Sequence, residues 1–177
     1  MIFEPMNKYI RFFILLVSIL LFACKSKKET PSRTEHKTTS KELQTLSKKL
    51  NISVTKSDNL KLYNYVADWL GTPHKLGSCT KSAIDCSCFI QGLVEHVYNQ
   101  KLPRTAAEMH KQSKKVSTGS LKEGDLVFFK INASKISHVG LYLKQGWFAH
   151  VSTTKGVMIN NLEEEYYQKH LVSCGRR

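Results

Sequence analysis

The sequence predicts an α+β fold in which helices precede an antiparallel sheet. Three observations carry that reading. Residues 60–70 and 86–99 repeat apolar side chains at helical spacing, each behind a capping residue. Beyond residue 125 the apolar residues fall instead into runs of strand length: 126–129, 136–143, 147–151, 157–159 and 171–174. Between two of these runs, Lys144-Gln145-Gly146 reads as a hairpin turn, which makes its flanking strands antiparallel neighbours.

Taken in order, residues 1–23 read as an export signal. Lys8 and Arg11 precede the apolar run 12–22, which is too short to span a bilayer. Leu21-Phe22-Ala23-Cys24 follows and resembles the bacterial lipobox. That resemblance implies that Cys24 is lipidated, giving an exported bacterial lipoprotein anchored in a membrane, the outer membrane facing the periplasm. An ordinary signal peptide with an incidental cysteine is the alternative. Residues 24–58 are expected to be the lipidated N-terminus and a flexible linker, because 25–40 hold no large apolar residue. Within the linker, Leu43, Leu46 and Leu50 suggest a short helix. The folded domain is expected over 59–177. Its first helix is capped within Ser57-Asp58-Asn59, buries Leu60, Tyr63, Val66, Trp69 and Leu70, and stops at Gly71 and Pro73. Residues 71–84 form a loop that must pass the start of the next helix, and loops so placed often line sites. Asp85 caps that helix, which buries Phe89, Ile90, Leu93, Val94, Val97 and Tyr98. A turn at 102–105 leads to a short helix over 106–112, a turn at 122–125 opens the strands, and 162–170 holds a helical turn or two.

The net charge of +13 is spread along the chain, +6 over residues 1–58 and +7 over 59–177. An exported protein of this balance meets anionic wall polymers and lipid headgroups, so no nucleic acid is expected as partner. No internal repeat is visible, and neither cofactor nor metal is expected.

Cys86 falls in the first turn of a packed helix, where the positive end favours a thiolate. Taken alone it would be a small buried hydrophobe. A cysteine nucleophile needs a base and a group to orient that base. His138 and His150 supply candidates on consecutive strands, close on one face but out of strict register unless a bulge intervenes. A rival reading makes Cys86, Cys88, His138 and His150 zinc ligands. Cys-x-Cys is shorter than the usual Cys-x-x-Cys clip, and four protein ligands would leave a closed structural site. Cys79 and Cys88 either form a disulfide or stay unpaired; sequence alone leaves both open.

Asp-Cys-Ser-x-Phe, Leu-Pro-Arg, Gly-Asp-Leu-Val-Phe-Phe, His-Val-Gly-Leu-Tyr and Phe-x-His-x-Ser-Thr-x-x-Gly-Val, in this order over residues 60–177, resemble the NlpC-type cell-wall cysteine peptidases. The resemblance implies a papain-like fold and cleavage of peptidoglycan stem peptides at the bond between γ-D-glutamate and a diamino acid. It implies Cys86 as nucleophile, His138 as general base and then acid, and His150 as the residue that orients His138. His74, Asp85 and Ser87 would face the substrate or the oxyanion, beside the backbone N–H of Cys86. Four positions depart from the family pattern: His74 replaces a tyrosine, and Ser78, Ala83 and Cys88 replace glycines. A catalytically inactive wall-binding lipoprotein on the same fold is the alternative.

Overall fold

The structure, a computed structural model, describes residues 39–177. The expected export signal, Cys24 and the start of the tether lie outside the described residues. The described part is α+β, as the patterning predicts. It comprises α1 (Ser40–Leu50), α2 (Leu60–Trp69), α3 (Cys86–Tyr98), α4 (Ala106–Gln112), β1 (Lys114–Val116), a 3-10 turn (Thr118–Ser120), β2 (Leu126–Phe129), β3 (His138–Lys144), β4 (Trp147–Ser152), β5 (Gly156–Asn161), α5 (Glu165–His170) and β6 (Leu171–Arg176). The strands form one sheet in the order β1-β6-β2-β3-β4-β5, every pair antiparallel.

The linker expected over 24–58 is shorter than patterning suggests, since from Thr39 onward the chain is folded. Thr39 and Glu42 form a capping box at the start of α1. Leu50, Ile52 and Val54 then bury their side chains in the main core beside Leu62, Tyr63 and Val66 of α2. Removing this apolar surface from water, roughly 1.5–3 kcal/mol for each fully buried large side chain, fixes a segment that its lysines and serines made look like linker.

The sheet separates two cores. Leu126, Phe128, Val139, Leu141, Ala149 and Val151 face α2 and α3, meeting Phe89, Ile90 and Leu93. On the other face Val127, Phe129, Phe148 and Cys174 pack with Tyr167 of α5. A register shift between Tyr142 and Lys144 resolves the parity of the β3–β4 hairpin. With Leu141 opposite Ala149, His150 falls opposite Gly140, diagonal to His138 and on the same face. A Cβ at Gly140 would lie 2.7 Å from the Phe148 ring. Its absence lets that ring lie 5.0 Å from the imidazole of His150 and back it from within the protein.

The loop between α2 and α3 is tied at both ends. Gly71 N–H donates to Val157 O, and Val157 N–H donates to Thr72 O, so the loop begins as an added edge on β5. Gly156 (φ 71°) makes this possible, for a Cβ there would lie 2.2 Å from Thr72 O. At the far end Cys79 and Cys88 form a disulfide with a sequence separation of 9. Closing a loop of that length is worth about 3 kcal/mol in the chain-entropy account.

Candidate active site

Asp85 builds the start of α3. Its Oδ1 accepts the N–H of Cys88 at 2.7 Å and the hydroxyl of Ser87 at 3.0 Å, and its Oδ2 accepts the N–H of Gly77 at 2.9 Å. Arg104 closes the cluster, with Nη2 at 2.5 Å and Nη1 at 3.1 Å from the two carboxylate oxygens and Nη1 at 2.8 Å from Ser87 Oγ. Burial alone would raise the Asp85 pKa; the guanidinium, the Cys88 N–H and the Ser87 hydroxyl outweigh it and hold the carboxyl below its usual range. Asp85 and Ser87 border the cleft, but they are 3% and 7% exposed and their oxygens are occupied. They hold the helix start and Arg104 in place, a correction to the expectation that they face substrate. Arg104 itself, 42% exposed in its side chain, is the group of this cluster that reaches the cleft.

With that cap fixed, Cys86 projects from the first turn toward β3, half-buried. The backbone N–H groups of Val139, Ser87 and Cys86 lie where they favour the charged form of its thiol. Burial nevertheless raises the thiol above its ordinary value, these donors offset only part of the rise, and neighbouring Asp85 adds to it. Burial thus works against the thiolate that the helix terminus favours.

His138 opens β3 next to Val139. Its Nε2 lies 3.1 Å from His150 Nδ1, with the two rings at 89°. His150, 2% exposed, places Nε2 at 2.9 Å from Asn160 Oδ1 and 3.2 Å from the Tyr167 hydroxyl. Tyr167 donates to Asn160 Oδ1 at 3.1 Å, and Asn160 Nδ2 donates to both oxygens of Glu164 at 2.9 Å. Burial pushes His138 down to about 3, with His150 and His74 adding to the shift. Burial also takes His150 down to about 4, opposed by the bond to Asn160 and the charge of Glu164. His138 keeps one edge open, but that edge meets the cleft. Both rings thus rest neutral at pH 7.

A cleft of about 700 Å³ brings Cys86, His138, His150, His74 and Arg104 together. Leu76, 86% exposed, and Tyr166, 50% exposed, stand on its border. His74 is half-buried and held by a bridge to Ile84. Cys88, the fourth ligand of the zinc reading, is consumed by its disulfide. Among the described residues no group of three or more His, Cys, Asp or Glu is placed to hold a metal, and no helix is long and apolar enough to cross a membrane. The arrangement can present a thiol to a carbonyl carbon, backbone donors to its oxygen and a neutral imidazole in the same cleft.

Asn160, Glu164 and Tyr167 were not singled out from the sequence. Polar residues at a strand end and in a turn carry no signal of their own; only the β4–β5 register, with His150 opposite Met158 and Phe148 opposite Asn160, puts Asn160 on the histidine face. Arg104 did carry a signal, in Leu-Pro-Arg.

Comparison with known proteins gives a consistent result. A family model described as the NlpC/P60 family matches residues 71–176. The chain is 34% identical over 176 residues to a murein DD-endopeptidase/murein LD-carboxypeptidase of Escherichia coli K12, covering 94% of this chain and 92% of the relative. It is 41% identical over 102 residues to a probable endopeptidase NlpC homolog of Haemophilus influenzae, covering 58% of this chain but only 54% of that protein. Among solved structures, a lipoprotein-like NLP/P60 family protein of Staphylococcus aureus superposes with a TM-score of 0.59 at 24% identity, over 71% of this chain and 45% of that one, and supports the fold alone.

Proposed function

Since the chain belongs to the NlpC/P60 family, we propose that it is a peptidoglycan hydrolase, a cysteine endopeptidase acting on cell-wall stem peptides through Cys86, His138 and His150. The observation that carries this reading is the thiol of Cys86 at the capped start of α3, in reach of the Val139 N–H beside His138, whose ring is in turn held by His150. Cys86 Sγ attacks the amide carbonyl carbon while its proton passes to His138. The oxyanion so formed is met by the Cys86 N–H, with His74 bordering the same cleft as a second donor. The carbon–nitrogen bond breaks, and His138 returns the proton to the leaving amine. Water activated by His138 then releases the acyl group. Arg104 offers the substrate a positive group at one end of the cleft.

The family resemblance favours the bond between γ-D-glutamate and the diamino acid. The E. coli relative, similar over nearly its whole length, favours a second reading in which the D,D cross-link is the bond cut. Mass spectrometry of a digest of tripeptide, tetrapeptide and cross-linked dimer muropeptides separates them. Glutamyl cleavage shortens every stem to a dipeptide, whereas cross-link cleavage turns dimers into intact monomers. Muropeptides that are bound but left whole would instead favour the inactive wall-binding lipoprotein.

The same reading makes the protein an exported, membrane-anchored lipoprotein, motivated by Leu21-Phe22-Ala23-Cys24 behind the apolar run 12–22. Cys24→Ser is expected to lose the acyl mass and leave the membrane fraction. Unchanged fractionation would count against an anchor at Cys24.

A further inference from the structure

The chain of contacts behind His138 does more than hold a ring. Glu164 is a carboxylate that accepts from Asn160 through both oxygens, at 2.9 Å each, and from the Asn161 N–H at 2.7 Å. An ionised carboxylate only accepts hydrogen bonds, so the NH2 of Asn160 must face Glu164 and Oδ1 must face inward. There Oδ1 already accepts the Tyr167 hydroxyl and lies 2.9 Å from His150 Nε2. An amide oxygen cannot donate, so the proton of His150 sits on Nε2, where it is shared with the Tyr167 oxygen at 3.2 Å. His150 Nδ1 is then a lone pair. It accepts from His138 Nε2 across 3.1 Å, and the remaining nitrogen of His138, Nδ1, is left unprotonated.

We infer that Glu164 and Asn160 are positioning residues that select, through His150, the tautomer of His138 in which Nδ1 is the free base. In the opposite tautomer, His150 Nε2 would set its lone pair against Asn160 Oδ1, and His138 would turn an N–H toward the thiol it must deprotonate. His150 is 2% exposed and Tyr167 8%, so water is not at hand to relieve that mismatch. Glu164, by contrast, is exposed. A surface carboxylate thereby dictates the protonation pattern of a buried pair, three hydrogen bonds from His138. The inference rests on the proposed role of His138 for its consequence in turnover, but not for the tautomer itself.

The test is therefore read in two ways. Nitrogen-15 NMR of full-length protein labelled at histidine reports which ring nitrogen is protonated, independently of activity. The wild type is expected to show the Nε2–H tautomer at both His138 and His150. Glu164→Ala, a surface change, frees the Asn160 amide to turn its NH2 inward. It should populate the Nδ1–H form of both rings, lowering kcat on muropeptides about tenfold while KM stays within twofold. Glu164→Gln can still present a carbonyl oxygen to Asn160 and should restore both the tautomer and kcat, which rescue a purely electrostatic role would not give. An Nδ1–H tautomer of His138 in the wild type, or an unchanged tautomer in Glu164→Ala, overturns the inference. A wild type with the expected tautomer but no turnover would support the inference and count against the hydrolase reading.

Discussion

Cys86→Ala is expected to end product formation on muropeptides altogether while leaving the fold intact. The thiol is the nucleophile of the proposed mechanism and lines the same cleft as His138, so without it no acyl-enzyme forms. The structural cost is small, since a half-buried sulfur is lost from a turn held by the five hydrogen bonds around Asp85. Thermal unfolding should shift by a few degrees at most. Residual turnover above the buffer blank, measured by mass spectrometry, would remove Cys86 from the mechanism.

His138→Ala should follow closely, with kcat falling about a hundred- to ten-thousandfold, the range for a group that serves as both general base and acid. Its pH behaviour gives a second check. The base is competent when neutral, so activity is lost as pH falls through its folded pKa. Burial lowers that pKa from 6.5 toward about 3, and the acid limb of kcat/KM should therefore lie well below 6.5. Stability runs in the same sense. Between the folded and unfolded pKa values the unfolded chain binds more protons, because His138 and His150 titrate near 6.5 once released. Their contribution is full above 6.5 and is lost as pH falls toward 3 to 4. An acid limb centred on 6.5 would show that the pair is not desolvated as the structure has it.

What could be read in the residues, and what could not, divides along one physical line. The start of α3 was legible because a cap and an apolar face are local: Asp85 lies three residues from the N–H it accepts, and Phe89, Ile90, Leu93 and Val94 repeat at helical spacing. The β3–β4 hairpin was legible for the same reason, including the need for a bulge. By contrast β1, three residues with two lysines, is a strand only because β6 pairs with it from the far end of the chain. The place of β6 between β1 and β2 is equally non-local. The short helix suggested by Leu43, Leu46 and Leu50 is present as α1, but its docking was not legible, because the burial of Leu50, Ile52 and Val54 depends on contacts with α2. At the site, thiol and histidines were visible as residue types. The Asn160–Glu164 support was not, since it exists only through the pairing of β5 with β4.

The Cys79–Cys88 bond has a consequence beyond the loop it closes. Cys88 stands two residues from Cys86 in the same helical turn, and a free thiol there would be open to thiol–disulfide exchange whenever the surroundings are oxidising. Joined to Cys79, it is withdrawn from that exchange. The other free cysteine among the described residues, Cys174, is buried in the sheet's second core. Among the described residues Cys86 is thereby the one free cysteine that is not buried, so its thiol is the one that solutes entering the cleft can reach.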